Sequence, residues 1–190
     1  MDSSLNFTYH LHETLKSSCK ILNFVKRISS NFKKHTTMVL LYNSLVRPKL
    51  EYASQIWNPS QKQQVEKFEK IQKQFLRFLY WRVHGIYPHY RNHPVRTTSL
   101  LEEFDMLTLE KRRTINDCVF VYKVLNSLFD CPKLLQKINF RINYKNTRNN
   151  NLFFINDSLR SPLNRMLHTL DSYNIDPFCL SVNSVKRILS

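Results

Sequence analysis

The chain holds a single glycine, Gly85, among its 190 residues. Glycine supplies the left-handed backbone that tight hairpins need, so a many-stranded barrel or sandwich is disfavoured. The same scarcity excludes the glycine-rich loops that cradle phosphates, of both the dinucleotide and the P-loop type. Helix is the regular structure left, and apolar residues at 42% with aromatics at 13% are enough to fill a core. The expected fold class is all-α.

Hydrophobic spacing places the helices. Leu11, Leu15, Leu22 and Val25, with Ile21 and Ile28 beside them, predict a helix over 8–28, with Lys16, Lys20, Lys26 and Arg27 largely off that stripe. A second is expected over 36–57 with Met38, Leu41, Leu45 and Tyr52 facing inward. Pro48 lies inside it, lacks an N–H and should kink or split it, and Asn58-Pro59 ends it. The third, over 60–82, is the clearest: Val65, Phe68, Gln72, Phe75 and Leu79 line one face, widened by Ile71, Leu76 and Phe78. Steps of about 100° per residue gather Lys62, Lys70, Lys73 and Arg77 on the opposite face. Glu66 and Glu69 fall in the same region and are expected to pair with Lys70 and Lys73.

Residues 83–98 hold the glycine, two prolines and three histidines, and read as a break. The expected organisation is a helical bundle over 1–84, a smaller helical lobe over 95–175 and a tail over 176–190. Within the lobe, helices are expected over 99–104, 109–129, 132–138 and 161–173, the last with Pro162 in its first turn. The asparagine-rich stretch 139–151 reads as a loop, 152–155 as extended, and the residues from Ser181 as a frayed helix. Lys111, Arg112 and Arg113 sit in the first turn of the helix capped by Thr108, where they oppose the macrodipole. A partner for these cations would account for that cost.

Lys and Arg number 29 against 14 Asp and Glu, a net charge of +15. Such an excess favours a polyanion through counterion release and steering. No C-x-x-C pair, signal-peptide core or membrane-length apolar run is present, so reduced thiols in an intracellular setting, nucleus or cytoplasm, are expected without a membrane partner. His10, His12, His84, His89 and His93 lack the Cys/His grouping of a zinc site. Neither a metal nor a cofactor is expected. Tyr80, Trp81, Tyr87 and Tyr90, near Arg82 and Arg91, read as a plug between lobes in preference to a base-stacking surface.

Several segments together resemble the C-terminal part of reverse transcriptases of Jockey-like non-LTR (LINE-type) retrotransposons. The stretch 41–59, L-Y-N-S-L-V-R-P-K-L-E-Y-A-S-Q-I-W-N-P, resembles that family's L-Y-x-S-L-V-R-P-x-L-E-Y-x-S-x-x-W-x-P. The stretch 22–27, L-N-F-V-K-R, resembles L-G-F-I-x-R, and 66–78 resembles I-E-x-x-Q-K-x-F-x-R. Residues 107–113 are similar to L-x-x-L-x-x-R-R, and 160–165 to the S-P-L-x-R end. The resemblance covers nearly the whole chain, from Met1 to about Tyr173. It implies a thumb-like helical bundle followed by a C-terminal helical extension.

The family's palm motif, aromatic-Ala-Asp-Asp, holds two divalent cations on paired carboxylates. This sequence has no Asp-Asp pair: its aspartates stand apart at Asp2, Asp105, Asp117, Asp130, Asp157, Asp171 and Asp176. The expectation is a non-catalytic fragment that grips nucleic acid, a template–primer duplex or RNA–DNA hybrid, by its backbone without reading sequence. The expected contacts are Lys26, Arg27, Lys33, Lys34, Lys62, Lys70, Lys73, Arg77, Arg112 and Arg113. The alternatives are a transposon-derived remnant without activity and a protein-interaction module.

Overall fold

The computed structural model describes residues 7–59, 61–88, 95–141, 151–155, 161–179 and 181–189. It is all-α. Among the described residues the only β pairing is an isolated antiparallel bridge between Phe140 and Phe153. The helices are α1 (Thr8–Ile28), α2 (His35–Leu41), α3 (Arg47–Glu51), α4 (Ser54–Trp57), α5 (Lys62–His84), α6 (Thr97–Glu103), α7 (Leu109–Leu125), α8 (Pro132–Leu135), α9 (Pro162–Ser172) and α10 (Val182–Leu189). They form two compact units, 1–110 and 111–190.

The first unit is built around α5. Phe68, Ile71, Phe75, Leu76 and Leu79 are buried on one side of it, each contributing about 1.5–3 kcal/mol. Leu11, Leu22 and Val25 of α1 join the same core. The two helices run parallel. His10 and Phe68 both meet Trp57, with ring centroids 5.5 and 5.4 Å away, while Lys26 lies 6.0 Å from the ring of Phe78.

The segment with Pro48 departs from the expected register. Met38, Tyr42, Val46 and Leu50 are buried, while Leu45 is 39% and Tyr52 79% exposed, against expectation. A regular helix turns by about 40° between residues i and i+4, so a four-residue spacing drifts off the core side. A wider turn over Tyr42–Val46, where the Arg47 N–H reaches back to the Tyr42 carbonyl, takes up that drift. It ends two residues before Pro48, which has no N–H to continue the regular ladder. Tyr42 is thereby set flat on Phe75, with centroids 4.3 Å apart and planes 11° apart.

The division between the units lies later than the expected break. Leu100 and Leu101 of α6 pack with Leu76 of α5, and Leu109 belongs to the first core. Sequence placed α6 in the second lobe because Gly85 and the prolines signal a turn, and a turn does not say which core its far side joins.

The second unit gathers Cys118, Val121 and Val124 of α7 with Leu163, Met166, Leu167 and Leu170 of α9. Burial against these apolar neighbours pushes the Cys118 thiol up to about 12, with the nearby Asp117 adding to the rise. Val185 and Leu189 of α10 are buried in the same core, so the expected tail is an integral helix.

Three helices end in one motif despite the scarcity of glycine. After α6, the Met106 N–H reaches the Leu101 carbonyl and the Asp105 N–H that of Glu102. After α7, Leu128 and Ser127 bond Lys123 and Val124 in the same way, and after α9, Ile175 and Asn174 bond Leu170 and Asp171. These are Schellman caps, which require a left-handed residue. Asp105, Ser127 and Asn174 fill that role at φ of 50°, 54° and 52°. Asp and Asn adopt it at modest cost, Ser less readily. Gly85 itself, at φ 72°, ends α5.

Two outcomes test this account. Leu50→Ala should lower the unfolding free energy by about 2–5 kcal/mol and Tyr52→Ala by about 0.5 kcal/mol or less, in urea titrations followed by fluorescence of Trp57 and Trp81. Ser127→Gly should stabilise the second unit by about 1 kcal/mol, read by hydrogen exchange of its α7 amides.

Candidate nucleic-acid interface

Burying the apolar stripe of α5 turns its other side outward. Lys62 and Lys70 are exposed, and Lys73 and Arg77 are half-buried, their stems lying along the helix flank. The stripe from Lys62 to Arg77 spans about 22 Å of helix. Among the described residues none of these four cations makes an ion pair. The expected pairs with Glu66 and Glu69 are not formed. Glu69 is turned towards the start of α7, where its carboxylate accepts the Glu110 N–H at 2.7 Å, a favourable place for an anion.

Lys70, Lys73 and Arg77 also line one wall of an open groove of about 440 Å³, whose other side carries Thr97, Leu101 and Thr108. Gln72 lines it as well and donates to the Leu107 carbonyl at 2.8 Å, which fixes the segment that leads into α7. Cations on one side and hydroxyls on the other suit a phosphate backbone, since both donate to phosphate oxygens. Glu66 and Glu69, which line the same groove, reduce the local potential.

A second group of cations lies at the end of α1. Arg27, Lys33 and Lys34 are exposed. Lys26 is half-buried over Phe78, and the loss of solvent lowers its affinity for a proton, with the nearby Cys19 opposing. The turn that carries Lys33 and Lys34 is held by Arg82. Its guanidinium donates to the carbonyls of Ser29, Ser30 and Phe32 at 3.4, 3.1 and 3.0 Å. A cation there also complements the C-terminal dipole of α1. Arg82 is therefore an anchor for the interface, a role that no local sequence signal gives, because its acceptors lie about fifty residues away.

Two expected contacts stand differently. Arg112 is half-buried. Arg113 is 1% exposed and lies inside the second unit, so it is not a surface contact. Asp117, also buried, follows it by one helical turn and accepts from Arg165 at 3.3 Å.

The aromatic residues near the break divide. Tyr80 packs on His84 at 4.3 Å, and His84 bonds Glu103 at 2.6 Å, tying α5 to α6. Trp81 and Tyr87 are 42% and 50% exposed. His89, Tyr90, Arg91 and His93 lie outside the described residues. Among the described residues no group of three potential metal ligands occurs, and no helix is long and apolar enough to cross a membrane.

No protein-family model, curated protein or solved structure matches this chain.

Arg82→Ala should lower the stability of the first unit by about 1–2 kcal/mol by releasing the end of α1, measured by urea titration with tryptophan fluorescence. Arg113→Ala should lower the thermal midpoint followed by circular dichroism, because it empties a buried side-chain site.

Proposed function

We propose that this protein is a non-catalytic, sequence-independent binder of the nucleic-acid backbone, derived from the thumb and C-terminal extension of a LINE-type reverse transcriptase. The observation that carries the reading is the cationic stripe of α5, without an ion pair among the described residues, with Lys70, Lys73 and Arg77 facing Thr97 and Thr108 across one groove. The net charge of +15 supports it at long range. The 41–59 motif supports the ancestry, and the same ancestry makes an RNA–DNA hybrid or template–primer duplex the natural ligand. The separated aspartates argue against polymerisation by this chain, because a two-metal centre needs its carboxylates together.

A second reading, a protein-interaction module, is favoured by one observation. An open groove of about 830 Å³ between α1 and the α2–α4 segment is lined by Ile21, Phe24, Leu45, Pro48 and Tyr52. Self-association in light scattering that Tyr52→Lys abolishes, with no affinity for nucleic acid at low salt, would establish that reading in place of the first.

The test is a fluorescence polarisation titration with a labelled RNA–DNA hybrid over a range of salt. Binding should be independent of sequence and weaken steeply as salt rises. The variant Lys70→Ala/Lys73→Ala/Arg77→Ala should flatten the slope of log K against log salt by about 2–3, close to one counterion per lost contact. Absence of binding at low salt sinks the proposal.

A further inference from the structure

The second unit carries an exposed pair of aromatic rings that its core does not use. Phe140 is 48% and Phe178 56% exposed, with centroids 5.9 Å apart. The pair is held from several sides. Phe140 leans on the buried Phe153 at 5.6 Å. The Arg141 N–H bonds the Leu152 carbonyl and the Phe154 N–H bonds that of Asn139, fixing the backbone on both sides of the bridge. The Phe178 N–H donates to the Asp176 carboxylate at 2.8 Å, and the Asn126 amide donates to the Pro177 carbonyl at 3.0 Å. That last bond ties the turn to the end of α7, where Lys123 lies 5.1 Å from the exposed ring of Phe129. Lys133, Lys137 and Arg141, on the segment leading to Phe140 and just past it, are all exposed.

We infer that Phe140 and Phe178 form a stacking platform for the bases of single-stranded nucleic acid, with Lys133, Lys137 and Arg141 available to its phosphates. Exposed rings with exposed cations on the same stretch of chain are the elements such binding uses, and every base offers a face to stack. A duplex keeps its bases within its own stack and gains nothing from the rings. A second copy of the chain is the other occupant to consider. Two rings fall short of the roughly 800 Å² per partner that stable association uses, and a net charge of +15 on each copy opposes self-association. Asp176, beside Phe178, repels a phosphate there and leaves that side to uncharged base faces. The site shares no residue with the α5 stripe and stands or falls independently of it.

The experiment uses the full chain and a single-stranded 12-mer of uridines carrying one 2-aminopurine. Binding to the unaltered protein should quench the 2-aminopurine through stacking. Phe140→Ala/Phe178→Ala should weaken binding of this strand about tenfold, Phe140→Tyr/Phe178→Tyr should retain it, and affinity for the RNA–DNA hybrid should be unchanged in both. Unquenched 2-aminopurine on the bound strand overturns the inference, and this readout decides it even where the alanine variant loses helix by circular dichroism. Unchanged affinity of a folded alanine variant also overturns it, as does a wild-type dimer that the alanine variant converts to monomer. Loss of hybrid binding alone in the Lys70→Ala/Lys73→Ala/Arg77→Ala variant bears only on the α5 interface.

Discussion

Burial of one side of α5 organises the first unit. Phe68, Phe75 and Leu79 must leave water, and Tyr42 lies flat on Phe75 from the facing segment. Once that contact is made, the rotation of the helix is set, and with it the outward position of Lys62, Lys70, Lys73 and Arg77. The charged face is thus a consequence of core packing. The contacts of Leu76 with Leu100 and Leu101 then bring α6 alongside and make a groove of what would otherwise be a convex helix surface.

The scarcity of glycine shapes the remaining detail. Helices must still end, and their last carbonyls must find donors. Asp105, Ser127 and Asn174 take the left-handed position that glycine most often fills, and the backbone N–H groups there and just after bond the last carbonyls. Ala53, at φ 54°, is also left-handed between α3 and α4, where the Tyr52 carbonyl accepts the Trp57 indole N–H at 2.7 Å. These positions carry local strain that the surrounding packing holds in place.

The helices of the first unit were largely legible because their apolar spacing is regular and long. The inward side of the Pro48 segment was not. A four-residue spacing of Met38, Tyr42, Val46 and Leu50 fits a core only when one turn is wider than usual, and an ordinary helical period selects Leu45 and Tyr52 instead. The stripe on α5 could be read residue by residue, but its freedom from Glu69 could not, since that depends on where the start of α7 lies in space. Arg82 and Arg113 show the same limit from opposite sides. One basic residue at a helix end anchors a distant turn, and the other lies in a core.

The sequence alone determined the all-α class, the placement of most helices, the excess of positive charge and the separation of the aspartates, because each follows from composition or from spacing along one element. Tertiary structure decided which cations are left unpaired, which are buried and which hold the chain together. It also set the boundary between the two units and the exposure of the Phe140–Phe178 pair. The physical reason is distance: such outcomes depend on groups far apart in the chain, whose meeting is fixed by packing and by no local pattern.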